Sequence, residues 1–218
     1  MNRFFTLLLA ASCLTAVGQA DFGPVSVELD TAFAAYPNGG PYDELAGYKS
    51  YIAYFEADDP TDVLTAIWSD TLFYPELEIL AIDAPCGCWN PIDESMVLDN
   101  NNSSFLWTIE PLWQYDTFWT IGKLSSDMVG DNPAFLSVPT VLGEAICNAE
   151  VTNGAAYVFF DAVNAIAGDD YRIPIARITT CGSFTISGNL QIFRGGSSDM
   201  EEYQSFHQTV SILSLIHI

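Results

Sequence analysis

From Phe184 to Ile192 the chain alternates without a break: Phe184, Ile186, Gly188, Leu190 and Ile192 are apolar or glycine, and Thr185, Ser187, Asn189 and Gln191 lie between them. A period of two means a strand with one dry face and one wet face. The preceding stretch, Tyr171–Thr180, is rich in β-branched residues and is expected to be a second strand. The link between them, Cys181-Gly182, is too short for a crossover helix, so the two are expected to pair as an antiparallel hairpin. Ala155–Phe160 is a third strand of this unit.

The rest of the chain repeats the pattern in shorter pieces. Strands are expected at Val25–Leu29, Tyr48–Glu56, Val63–Ser69, Leu77–Ile82, Phe105–Ile109 and Thr117–Gly122. Asp58 to Asp62, with Pro60 among short acidic side chains, is a turn that should join Tyr48–Glu56 to Val63–Ser69 as a hairpin. Tyr36–Pro41, Asp83–Asn102 and Ser125–Pro139 carry Gly, Pro, Asn and Ser and are expected to be loops. No segment sustains a helical period. Short strands punctuated in this way predict an all-β protein, an antiparallel β-sandwich in a single domain.

Residues 1–20 have the layout of a signal peptide: Arg3 in the basic n-region, an apolar run from Phe4 to Ala11, and small residues ending at Ala20. Ala10-Ala11-Ser12-Cys13 loosely resembles a lipoprotein cleavage box, a minority alternative. The folded domain is expected over residues 21–212, and no later stretch is long and apolar enough to be a transmembrane helix. Secretion or display at the cell surface follows. Cys86, Cys88, Cys147 and Cys181 remain, an even count that suits disulfides in an oxidising compartment. A four-thiolate zinc site is disfavoured because only the first two cysteines are close in sequence, and as C-x-C. A direct Cys86–Cys88 bond across Gly87 would be strained. One of the two is therefore expected to pair with Cys147 and the other with Cys181.

With 28 acidic residues, 6 basic ones and a net charge of −22, the chain lacks the basic footprint that phosphate recognition needs. Nucleic acid and anionic membrane surfaces are excluded as partners on that ground. The acidity suits solubility in salty water, where self-repulsion is screened.

Motifs for catalysis are missing. There is no G-x-S-x-G, no H-E-x-x-H and no Gly-rich phosphate loop. A Ser-His-Asp triad would have to use His207, in what reads as a polar tail. Glu110, Asp116 and Glu150 lie among aromatics or near a cysteine, but among 28 acids a carboxylate pair is no signal. Calcium is the candidate cation. Asp58, Asp59 and Asp62 are its favoured ligands, ahead of Asp99, Asn101 and Ser103 and of Asp169-Asp170, although Asx turns explain each cluster as well. Of the five tryptophans, Trp68 (in step with Leu64 and Ala66) and Trp119 belong to the core. Trp89 and Trp113 are the candidates for an exposed ligand platform. Asn101 and Asn102 each head a glycosylation sequon.

Several stretches together resemble a group of secreted, β-rich proteins of marine microbes that carry no assigned activity. They are Tyr48, Tyr51 and Phe55 with Asp59–Asp62 and Ala66-Ile67; Asp83–Pro91 around the C-x-C; Asp116–Gly122; Ala167–Arg172; and Arg177–Gly182. The resemblance spans most of residues 48–193 and transfers no catalytic or binding residue. Leu213–Ile218 match the translation of a common sequencing-library adapter, so this tail is expected to be non-native and to pack against nothing. The function expected is that of an exported, non-catalytic binding or structural module for an extracellular glycan or protein. The alternative is a carbohydrate-active protein, either a carbohydrate-binding module or a carboxylate-only glycoside hydrolase.

Overall fold

The computed structural model describes residues 24–34, 43–91, 96–137, 141–142 and 146–211. The expected signal peptide and the adapter-like tail lie outside them. Among these residues, twelve strands form two antiparallel sheets: β1 Val25–Leu29, β2 Lys49–Glu56, β3 Val63–Asp70, β4 Leu80–Asp83, β5 Phe118–Trp119, β6 Ala134–Ser137, β7 Val141–Leu142, β8 Glu150–Val151, β9 Asn153–Tyr157, β10 Arg172–Thr180, β11 Phe184–Phe193 and β12 Glu201–Val210. The smaller sheet runs β1-β2-β10-β5. The larger is built on β11. One edge of β11 pairs with β12 from Phe184↔Val210 to Phe193↔Glu201, and the other is shared end to end by β3 and β4. β9 and β6 continue from β3, and β8 and β7 from β4. The described helices are one turn at Thr31–Ala34 and short 3-10 segments.

The sheets pack face to face. Phe55, Ile173, Ile175 and Ile178 of the smaller sheet share one core with Leu64, Ile67, Ile82, Phe184, Ile186, Leu190 and Ile192 of the larger. The Tyr51 and Phe184 rings meet across the gap at 5.2 Å between centroids. Each such side chain contributes about 1.5–3 kcal/mol of transfer free energy, and this burial holds the sandwich closed. The all-β sandwich reading stands, and so does the cysteine pairing: Cys86 bonds Cys181 and Cys88 bonds Cys147.

Neither expected hairpin exists. β2 and β10 belong to the smaller sheet, β3 and β11 to the larger, so both links carry the chain from one sheet to the other. Both edges of β10 are taken, by β2 and β5. Its C-terminal end also receives the cysteine loop, where Trp89 N–H donates to Thr179 O at 2.8 Å. A strand with one apolar face can lie beside its sequence neighbour or across from it, and the period of two is the same in either case. At the corner, Gly182 passes close to the Cys86–Cys181 bridge; a Cβ there would sit 3.0 Å from Cys86 Cβ.

Other elements shift as well. Phe105–Ile109 is a 3-10 turn at Leu106–Thr108, not a strand. The Thr117–Gly122 strand shrinks to Phe118–Trp119 and Leu77–Ile82 to Leu80–Asp83. β6 emerges from the expected loop Ser125–Pro139, and the polar tail is β12, ten residues long. On β11 the alternation holds at the ends and fails in the middle. Thr185 and Gln191 are partly exposed, but Ser187 and Asn189 are buried. The 71–79 connection lies over them: Ser187 Oγ donates to Ile79 O at 2.6 Å, and Asn189 Nδ2 donates to Trp68 O and Glu78 O.

Candidate functional site

The outer face of the larger sheet carries a groove of about 360 Å³, lined by side chains of β3, β6, β9, β11 and β12. Its floor is low because Ala66, Gly154 and Ala155 stand where large residues would fill it. Gly154 is required by close packing, since a Cβ would lie 2.7 Å from Val151 Cγ1 and 2.8 Å from Leu136 O. Trp68 and Tyr203 rise on one side, edge to face with centroids 5.5 Å apart at 75°. Tyr203 is 55% exposed, and Leu136 opposite is 59% exposed. Two further aromatic pairs lie near the ends of β9 and β11: Tyr157 edge-on to Phe159 with centroids 6.4 Å apart, and Phe160 edge-on to Phe193 at 5.0 Å.

The polar groups of the groove bond to one another. Asn153 Nδ2 donates to Asp70 Oδ1 at 2.9 Å. Thr65 Oγ1 donates to Gln191 Oε1 at 2.8 Å, and the Gln191 amide nitrogen donates to Glu201. Tyr203 Oη also donates to Glu201, at 2.6 Å. The Tyr203 and Gln191 donors hold the Glu201 carboxyl below its ordinary value, and that carboxylate in turn raises the Tyr203 phenol. Among the described residues of the lining, Asp70 is the only charged one. Trp68 Nε1 and Ser69 Oγ, both buried, have no hydrogen-bond partner.

Trp68 and Tyr203 are not the aromatics the sequence singled out, and the reasons are local. A bulge in β3 opposite Gln191 and Ile192 shifts the register, so Leu64 faces the core while Ala66 and Trp68 face out. Tyr203 sits on β12, a strand whose polar composition reads as a tail. Its inward face holds one large apolar group, Phe206, whose ring fills the space over Gly188. A glycine in mid-strand was the available signal, because it marks a close approach by something large.

The expected site residues lie elsewhere. Trp89 packs against a separate small cluster of Phe33, Leu45 and Tyr115, with its Nε1 donating to Leu112 O at 3.3 Å. Trp113 is half-buried in the 3-10 segment Pro111–Tyr115. Asp58 and Asp59 are exposed, but Asp62 is buried. Both Asp62 oxygens are engaged: Oδ2 by the Asp58 and Asp59 amides and by Arg194 at 2.7 Å, and Oδ1 by the Gly195 amide. The positive charge in this loop is thus an arginine. Asp99 closes an Asx turn onto the Asn101 amide, and Asp169-Asp170 form a 3-10 turn. Asn102 is buried and accepts from Trp107 Nε1, which leaves Asn101 as the exposed sequon asparagine. Among the described residues, no group of three or more His, Cys, Asp and Glu side chains could hold a metal ion.

Glu150 lines a second depression with Glu78, Asp83 and His207, where His207 Nδ1 lies 3.1 Å from Glu78 Oε2. Glu110 is exposed at the start of a 3-10 segment. Asp116 is buried beside β5, and desolvation pushes its carboxyl up to about 8. Comparison with protein-family models, curated proteins and solved structures finds no match.

Proposed function

We propose that the chain is an exported, non-catalytic binding module that engages an extracellular ligand through the outer face of its larger sheet. The observation that carries this reading is the groove beside Trp68 and Tyr203. It combines exposed aromatic surface, a floor of small residues and a rigid strand framework, the mix typical of ligand sites. Two disulfides, and described helices all too short and polar to cross a membrane, are compatible with work outside the cell.

The hydrolase alternative needs a protonated acid facing a second carboxylate across a cleft. Asp116, whose carboxyl desolvation raises to about 8, is 4% exposed and accepts from the Thr117 amide at 3.0 Å. It does not line the groove. The geometry therefore favours binding over hydrolysis. A screen of residues 21–212 against glycans and extracellular proteins, with and without calcium, tests the proposal. Retention without turnover is the expected result. Sugar release abolished by replacing one carboxylate would overturn it.

A further inference from the structure

Building on that binding-face reading, we infer that the groove between Trp68, Tyr203, Leu136 and Ala155 takes an uncharged saccharide. Charge is the first argument. The described residues include five cations. Lys123 is 1% exposed, with its ammonium donating to Ser126 O, Gly130 O and Asn132 Oδ1. Arg177 is buried against Asp30, Arg172 pairs with Glu28 and Glu56, and Arg194 with Asp58, Asp62 and Glu202. Only Lys49 is exposed without an ion pair, and it is not in the groove. A uronate, sulfate or phosphate on the ligand would meet Asp70 and the field of a chain with net charge −22, with no cation to receive it.

The second argument separates a sugar from a cation. A cage for an ammonium surrounds it with ring faces and an open carboxylate. Here Trp68 and Tyr203 meet edge to face, so they offer one aromatic surface and no box. The C–H face of a pyranose, weakly positive and apolar, suits a single open ring face. At the groove's polar end the Asn153–Asp70 bond leaves Asp70 Oδ2 and Asn153 Oδ1 as acceptors, which match hydroxyl donors on adjacent ring carbons. A second copy of the chain is disfavoured as occupant because two bodies of −22 repel.

The test is calorimetric titration of the protein with uncharged β-glucan, xylan and mannan oligosaccharides, with alginate as the anionic comparison and a lysine-rich peptide as the cationic one. At least one uncharged oligosaccharide should bind, and alginate should not. Tyr203→Ala, which removes an exposed ring, should weaken binding at least tenfold. Ala155→Phe, which fills the floor from an outward strand position without removing any aromatic, should abolish it. Circular dichroism of both variants establishes that they fold. Sugar binding that neither variant alters overturns the assignment to this groove and, with it, the binding-face reading. Binding of the peptide alone, blocked by Ala155→Phe, overturns the saccharide inference and leaves the binding-face reading standing. Absence of binding by every uncharged oligosaccharide also overturns the inference.

Discussion

Lys123 shows how single buried charges are handled in this chain. Its ammonium sits inside the 120–132 loop among three oxygens, at 2.7–3.0 Å, much as a bound cation would. Asn164 clamps the same loop, donating to Ile121 O and Asp131 O. Gly122 turns there at φ +72, where a Cβ would come within 1.8 Å of Asn164 O. Asp62 with Arg194 repeats the device. Replacing Arg194 by Met leaves a carboxylate of 1% exposure without its countercharge and should cost about 3–5 kcal/mol in urea unfolding. A loss below about 1 kcal/mol would show that the backbone amides alone satisfy Asp62. Asp116 predicts a pH dependence. Its folded value of about 8 exceeds the ordinary 3.8, so the folded chain keeps a proton that the unfolded chain releases above about pH 4. The stabilising contribution is full below pH 4 and is lost as pH rises through about 8. Asp116→Asn keeps the acceptor for the Thr117 amide and removes the titration. Its unfolding free energy should vary less between pH 4 and 8 than that of the parent. At pH 9 it should be the more stable of the two by about 2 kcal/mol or more.

At the scale of elements, the sandwich depends on corners more than on hairpins. The Cys86–Cys181 bridge fixes the passage from β10 to β11, and Cys88–Cys147 ties the same loop to the segment leading into β8. Sequence separations of 95 and 59 put the chain-entropy contribution of each at about 4–5 kcal/mol. Replacing Cys88 and Cys147 together by Ser should lower the urea midpoint by an amount in keeping with that figure, and an unchanged midpoint would refute the estimate. β12 is the other decisive element. Its pairing along the whole of β11 brings Tyr203 beside Trp68 and turns a flat sheet into a groove.

For the whole molecule, the balance of charge sets both solubility and partner class. Internal ion pairs and hydrogen bonds tie up Lys123, Arg172, Arg177 and Arg194, so the exposed field is almost purely acidic. Raising sodium chloride from about 0.05 M to about 1 M screens that repulsion and should stabilise the fold. A rising thermal midpoint across the series is the expected reading. A falling one would mean that the partly buried ion pairs outweigh surface repulsion.

Much was legible in the amino-acid order because it is local. The period of two in Phe184–Ile192, the β-branched Tyr171–Thr180 and the punctuation by Gly, Pro and Asp are properties of neighbouring residues. They determined an all-β body and a dry face for most strands. The spacing Cys86-Gly87-Cys88 ruled out a direct bond and left only pairings with Cys147 and Cys181. Partner choice was not local. Face-to-face and side-by-side neighbours satisfy the same alternation, so only the tertiary structure could send β2 and β3, and β10 and β11, to opposite sheets. The groove was hidden for the same reason. One bulged residue in β3 turned Trp68 outward, and a strand with little apolar signal of its own became ordered by pairing with β11 and set Tyr203 beside it. A strand's face and partner are decided by what lies across from it, and for β3 that is β11, where Trp68 pairs with Asn189 from the far end of the chain.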